Sequence, residues 1–222
     1  MQIIKSSYQI EPINSNIILL NVAKAGATCY KNETKIVTVD DAKKFIKMII
    51  SNGHESVLEH EKVTVRVICD RGVTHEIVRH RIASYSQEST RYCNYANDKF
   101  CNEITVIDIG EHLHKAMIDK GKSHDYASFV VDEWQEAMMH AESTYLEMID
   151  RGVSPELARS VLPNSLKTEI VITMNLREWR HFFKLRAVSK RAHPQLREIT
   201  VPMLKDFQKL IPVVFDDLII DK

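Results

Sequence analysis

Arg79-His80-Arg81-Ile82-Ala83-Ser84-Tyr85-Ser86-Gln87-Glu88-Ser89-Thr90-Arg91 is the stretch that sets the reading of this chain. Three arginines, a histidine, a glutamate, a glutamine and several hydroxyls share it with few apolar anchors. Guanidinium groups are planar, permanently charged forks that match phosphate oxygens in pairs. Hydroxyls and amides beside them add the directional hydrogen bonds that fix a polar ring in one orientation. Such a composition points to a grip on a phosphorylated, ring-bearing ligand.

The rest of the chain supplies no competing anion-binding field. Its 222 residues carry 30 Lys and Arg against 30 Asp and Glu, a formal net charge of zero. That balance argues against a broad basic surface for nucleic acid or an anionic membrane, so an anion site has to be local. Between Arg71 and Arg91 there is such a site, with four arginines against Glu76 and Glu88. No apolar run reaches the roughly 18 residues of a membrane span, and Met1 to Tyr8 lacks the layout of a signal peptide. Cys29, Cys69, Cys93 and Cys101 form no CxxC pair and no secreted disulfide framework. The expectation is a cytoplasmic protein with neither a nucleic-acid nor a membrane partner. Without repeats, low-complexity tracts or a Gly/Ser linker, residues 1–222 read as a single domain.

Periodicity places the signature among helices and antiparallel-capable strands. Residues 1–10 have a short strand-like pattern, and Ile17 to about Cys29 reads as a helix. Thr38-Val39-Asp40-Asp41 resembles a capping box, opening a helix that Gly53 stops. Lys62 to Cys69 alternates as a half-buried strand, and Gly72 to Arg79 reads as a short helix delivering Arg79-His80-Arg81 at its C-terminal end. Residues 82–101 read as an irregular ligand loop with room for a short strand, and Glu103 to Ile109 as a strand. Tyr126 to Asp150 is the longest predicted helix, with a stripe that includes Val130, Trp134, Ala137, Met138 and Tyr145. Ser154-Pro155 opens a helix ending near Leu162, Leu166 to Met174 reads as a strand, and helices follow over Leu176–Ala187 and Pro194–Leu210. The order shows no regular βαβ alternation, so the predicted class is α+β.

Two other chemistries are weighed against the anion site. His75-Glu76-Ile77-Val78-Arg79-His80 nearly spells the HExxH zinc motif, but its histidines stand five apart rather than four. On a helix that spacing turns them about 140° from one another, so they do not share a metal from one face. Cys93 is the cysteine beside the signature, but no Pro-Cys-Gln context surrounds it, and a lone cysteine is more often a small buried hydrophobe.

The signature also resembles that of a known family. Arg79-His80-Arg81, seven residues, then Ser89 and Arg91-Tyr92 is similar to the motif of flavin-dependent thymidylate synthases. The resemblance runs from about Ala23 to about Glu198 and includes four further blocks. These are Asn52-Gly53-His54-Glu55-Ser56, Ala158-Arg159 to Leu162-Pro163, Thr173-Met174-Asn175-Leu176-Arg177-Glu178-Trp179, and Leu185-Arg186-Ala187. It implies a central twisted, mainly antiparallel sheet flanked by helices. The implied reaction is reductive methylation of dUMP to dTMP, with methylenetetrahydrofolate as one-carbon donor, NADPH as reductant acting through bound FAD, and no cysteine nucleophile.

Roles carry over by position. Arg186 resembles the residue beside uracil N3 and O4 and is the implied catalytic group, because a fixed cation stabilises negative charge on the ring. Glu76, Arg79, Gln87, Glu88, Ser89, Thr90, Arg91 and Arg159 match the dUMP pocket, with Ser89, Arg91 and Arg159 nearest the phosphate and ring grip. A carboxylate does not grip phosphate, so Glu88 would orient an arginine or accept a hydrogen bond. Ser56, Arg79, His80, Arg81, Gln87, Asn175, Arg177 and His181 match flavin-contacting positions, and His54 a possible folate or flavin contact. Some relatives have glutamate in place of Gln87 and asparagine in place of His181. The loop Val188–Ala192 varies in length among relatives, leaving His193 and Gln195 unassigned. The resemblance also implies a homotetramer with sites at subunit interfaces, and no metal. A nucleic-acid module or an inactive flavin or nucleotide binder are the rival classes.

Overall fold

Alternation of apolar and polar residues turns Lys62–Asp70 and Lys167–Asn175 into the two central strands of the computed structural model, which describes residues 1–31 and 33–220. In chain order the elements begin with β1 (Gln2–Ile4), β2 (Ser7–Ile10), α1 (Ser15–Thr28), α2 (Val39–Ser51), β3 (Lys62–Asp70) and α3 (Arg71–Ile77). They continue with β4 (Ser84–Gln87), β5 (Thr105–Ile107), α4 (Gly110–Asp119), α5 (His124–Asp150) and α6 (Pro155–Ala158). Last come β6 (Lys167–Asn175), α7 (Leu176–Phe183) and α8 (Pro194–Leu210). One sheet has the order β2-β3-β6-β4, and β1 pairs separately with β5. The class is α+β, an antiparallel sheet flanked by helices. The β1–β5 pair is parallel, with Gln2 opposite Thr105 and Ile4 opposite Ile107.

The chain divides into two compact units. Met1–Ser7, Val67–Ile77 and Ser86–Ile170 form the first; Tyr8–Arg66, Val78–Tyr85 and Val171–Lys222 form the second. In the first unit Tyr95, Ile104, Val106, Tyr145, Ala158 and Leu166 make a buried cluster, with Trp134 and Met138 of α5 packed against it. Only Ala127 and Tyr145 of α5 are buried, and Ala137 of the predicted stripe is exposed.

The second unit is built around aromatic rings. Trp179 stacks on Phe183 with centroids 5.6 Å apart, and Phe207 meets Phe183 at 5.0 Å and Phe215 at 5.3 Å. Such pairs contribute about 0.5–1.5 kcal/mol each beyond area burial. The indole N–H of Trp179 donates to the Val63 carbonyl at 3.0 Å, so the buried ring leaves no polar atom unsatisfied. Gly26 lets α1 approach α2: an added Cβ would lie 2.7 Å from the Phe45 ring.

Local signals fix several element ends. Asn14 accepts from the Ile17 amide at 3.2 Å to start α1. The capping box forms as expected, with the Thr38 hydroxyl accepting from the Asp41 amide at 3.2 Å and the Asp41 carboxylate from the Thr38 amide at 2.9 Å. Other boundaries shift. The predicted strand over Glu103–Ile109 narrows to β5, because Asp108 turns the chain by accepting from the Gly110 amide at 2.8 Å. The helix α4 that follows has no counterpart in the sequence reading. α3 ends at Ile77, so Arg79 and His80 lie beyond the helix.

Candidate active site

The second unit holds a cavity of about 920 Å³. Its walls come from the segment after α3, from the start of α7 and from the chain beyond α7. Asn175 ends β6 and caps α7, its side-chain oxygen accepting from the Glu178 amide at 2.8 Å. The next two turns then present Arg177 and His181 to the cavity. α7 does not continue to Ala187 as predicted. Lys184–Val188 forms a π-helical turn instead, closed by the Ser189 amide on the Lys184 carbonyl at 3.2 Å. One extra residue in that turn changes the direction in which Arg186 leaves the backbone. Bonds from α8 hold the turn: the Thr200 hydroxyl donates to the Arg186 carbonyl at 2.6 Å, and Arg197 donates to the Ala187 carbonyl.

His80 is the buried polar centre of this wall, 6% exposed. Its ring meets Phe182 edge-on at 4.9 Å and His181 at 5.5 Å. Nε of Arg186 donates to His80 Nε2 at 3.1 Å, so the imidazole must offer a lone pair there and carry its proton on Nδ1. Burial, then the Arg186 cation and His181, push the His80 pKa down to about 4 and keep the ring neutral. The Tyr85 hydroxyl donates to the His80 carbonyl at 2.6 Å, and burial with Glu178 nearby pushes that phenol up to about 12. Arg186 thus has a fixed orientation and a neutral, non-competing neighbour.

The cavity's charges are unequally paired. Six cationic side chains and three carboxylates line it. Arg177 binds Glu59 at 2.5 Å, and Lys184 lies 3.7 Å from Glu55. Arg79 and Arg81 have neither a hydrogen bond nor an ion pair from their side chains among the described residues. Glu55 and Glu59 lie on a 3-10 turn, Glu55–His60, that also carries Ser56, although Ser56 itself does not line the cavity. His54, just before it, is exposed and lies 3.3 Å from the Tyr30 hydroxyl through Nδ1.

The second half of the signature belongs to the first unit and is occupied by protein partners. Gln87 donates to the hydroxyls of Thr74 at 3.2 Å and Thr168 at 3.3 Å, and it does not line the cavity above. Glu88 accepts from Lys167 at 2.7 Å and from the Tyr95 hydroxyl at 3.0 Å. The Ser89 hydroxyl accepts from the Arg91 amide at 3.3 Å. The Arg91 guanidinium meets Glu156 at 3.1 Å, and Arg159 donates to the buried Thr90 at 3.3 Å. Glu76 lies half-buried on α3.

The structure therefore brings Arg79, His80, Arg81, Asn175, Arg177, His181 and Arg186 onto one cavity, and Gln87, Glu88, Ser89, Thr90, Arg91 and Arg159 onto and around one turn of the first unit. Sequence reasoning gave no ligand role to Glu55 of the Asn52–Ser56 block or to Glu59, which read as solvated charges of a turn, and it missed Lys184 and Arg191 on the cavity wall; the signal for Arg191 was a basic pair, Lys190-Arg191, shortly after Arg186. His181 lies exposed at the cavity rather than in the aromatic core beside Phe182 and Phe183. Among the described residues no group of three or more His, Cys, Asp or Glu is placed to hold a metal ion, and no helix is long and apolar enough to cross a membrane.

Comparison with known proteins covers the same ground. The family model for thymidylate synthase complementing protein matches residues 19–213. The flavin-dependent thymidylate synthase of Pyrococcus furiosus is 38% identical over 174 residues, 78% of this chain and 65% of the relative. That of Geobacter sulfurreducens is 34% identical over 202 residues, 88% of this chain and 80% of the relative. The chain thus spans 65% of the length of its Pyrococcus relatives. A UMP/dUMP methylase, PolB from Streptomyces cacaoi bound with 5-Br dUMP, superposes with a TM-score of 0.77 at 24% identity, covering 97% of this chain and 96% of the other. At that identity the likeness speaks for the fold. A match that begins within α1 and ends beyond α8 takes in both halves of the signature, and the chain belongs to the flavin-dependent thymidylate synthase family.

Proposed function

We propose that the chain catalyses the reductive methylation of dUMP to dTMP. Methylenetetrahydrofolate gives its one-carbon unit to C5 of the uracil, NADPH supplies the hydride equivalent that brings it to a methyl group, and tetrahydrofolate and NADP⁺ leave. Bound FAD would supply the redox chemistry between NADPH and the pyrimidine, which amino-acid side chains do not offer.

The observation that carries this reading is the state of the cavity's cations. Arg79 and Arg81 stand on its wall without carboxylate partners, and Arg186 is aimed by a neutral imidazole. A volume of about 920 Å³ lies at the upper end of the roughly 300–1,000 Å³ of ligand sites and suits a dinucleotide. Arg79, His80, Arg81, Asn175, Arg177 and His181 are the residues assigned to FAD there, with Ser56 and Gln87 as further assigned contacts. Ser89, Arg91 and Arg159 are assigned to the dUMP phosphate and Arg186 to the ring, where a held cation stabilises charge developing at N3 and O4. Such sites would be shared between subunits of a homotetramer. The thiols support a route without cysteine: burial and Glu88 push Cys93 up, and burial pushes Cys69 up, the reverse of what a nucleophilic thiolate requires.

Arg186→Ala tests the reading. dTMP formation is expected to fall by about 10²–10³-fold or more while the protein stays yellow with bound FAD. Wild-type-like turnover would remove Arg186 from the chemistry, and a colourless wild-type protein that ignores both FAD and dUMP would end the proposal.

A further inference from the structure

The loop after the π-helical turn is held at several points. Arg197 of α8 donates to the carbonyls of Ala187 and Ser189, the second at 2.8 Å. The Ser189 hydroxyl accepts from the Arg191 amide at 3.3 Å, and the Ser189 carbonyl from the Ala192 amide at 3.3 Å. This frame places Ser189, Arg191 and Ala192 on the wall of the cavity that Arg79 and Arg81 line. Like theirs, the Arg191 side chain has neither a hydrogen bond nor an ion pair among the described residues.

The pairing pattern separates the cations of this wall. Arg177 and Lys184 have glutamates near them, Glu59 and Glu55, and Arg186 is engaged with His80. Arg79, Arg81 and Arg191 retain their N–H donors, five per guanidinium. Their like charges, brought to one cavity by two separate segments, repel one another unless an anion lies among them. A single phosphate is satisfied by one or two bidentate forks, whereas a pyrophosphate spreads its charge over more oxygens and can take three.

Resting on the FAD reading above, we infer that Arg191 is a third phosphate-gripping residue of this cavity and that its ligand is the pyrophosphate of the flavin dinucleotide. An exposed loop arginine does this only when its backbone is fixed, and the Arg197 and Ser189 bonds fix it.

Flavin-stripped wild-type protein, Arg191→Ala and Arg191→Lys are titrated with FAD and, separately, with riboflavin, which lacks the pyrophosphate. Arg191→Ala is expected to raise the Kd for FAD about tenfold or more, the effect of losing a charge-assisted contact, and to leave riboflavin binding unchanged. Arg191→Lys should recover part of the FAD affinity, because it restores the charge but not the fork. An unchanged FAD Kd in Arg191→Ala overturns the inference. Equal losses for FAD and riboflavin overturn it as well, since Arg191 would then act only by shaping the loop. If the wild type binds no FAD, the proposed function itself fails, an outcome distinct from both.

Discussion

Arg180 and Arg81 carry the same charge in the same unit, and their surroundings are opposite. Arg180, on α7, is 1% exposed. Its fork meets both oxygens of Asp217 at 2.6 and 2.7 Å, Glu55 at 3.0 Å and the Val214 carbonyl. Arg81 is exposed on the cavity wall and meets no carboxylate among the described residues. A guanidinium taken out of water needs fixed counter-charges, because desolvating a lone cation is prohibitive. One left at a wet surface can stay unpaired until an anionic ligand arrives. A buried, fully paired guanidinium thus marks an arginine that holds the fold, and an exposed, unpaired one an arginine open to a ligand, with the exposed pairs Arg91–Glu156 and Arg177–Glu59 between the two.

The largest expected effect lies on the paired side. Arg180→Ala strips Asp217 and Glu55 of their main partner and removes the bond to the Val214 carbonyl, which ties the C-terminal segment to α7. Arg180 is buried, but Asp217 is 49% and Glu55 22% exposed, so the loss of unfolding free energy, read from urea denaturation, is expected at about 3 kcal/mol, the lower end for breaking a buried pair. A loss below about 1 kcal/mol, the level of a surface salt bridge, would mean the buried clasp contributes nothing beyond an exposed pair, and the comparison would lose its first term.

His80 supplies an intermediate case, a buried base with a cation beside it instead of a carboxylate. Arg186 and His181 face it, Phe182 covers its ring, and its pKa is pushed down to about 4 from an ordinary value near 6.5. Above about pH 6.5 the ring is neutral in both folded and unfolded chains and gives no pH dependence. Between about 6.5 and 4 the unfolded chain binds a proton that the folded one refuses, so stability falls as pH falls, and the loss is complete below about 4. The whole drop is expected to be about 2–3 kcal/mol, and His80→Gln should remove that part of the profile. Parallel stability curves for the two proteins across this window would show that His80 is not the neutral acceptor for Arg186.

The comparison also shows what the sequence could reveal. Period-two alternation is local, so β3 and β6 were legible, as was the capping box at Thr38 and Asp41. Arg79, His80, Arg81, Asn175, Arg177, His181 and Arg186 were found by motif, and they do share a cavity. The π-helical turn was not legible because the bonds that hold it come from Thr200 and Arg197, 14 and 10 residues from their acceptors. α4 escaped because it is short and no residue in it is fully buried. Pairing was the least legible feature: Glu55 and Arg180 stand 125 residues apart. Nothing in the local sequence separates Arg180 as a fold-holding residue from Arg177 three positions earlier.

The smallest expected effect on stability is the sharpest test of the distinction. Arg81→Ala removes no hydrogen bond or ion pair among the described residues, so its unfolding free energy should match the wild type within about 0.5 kcal/mol. The unliganded protein could even gain slightly, since one of several like charges around the cavity is gone. FAD should nonetheless bind more weakly, and the deficit should shrink as salt is raised, because added ions screen in the wild type the attraction that the variant lacks. Equal destabilisation of Arg81→Ala and Arg180→Ala would show that both arginines hold the fold. A stable Arg81→Ala that binds FAD as well as the wild type would show that an unpaired guanidinium at this wall is merely solvated. The two results strike different halves of the argument, which lets one substitution decide whether unpaired charge at the cavity is reserved for a ligand.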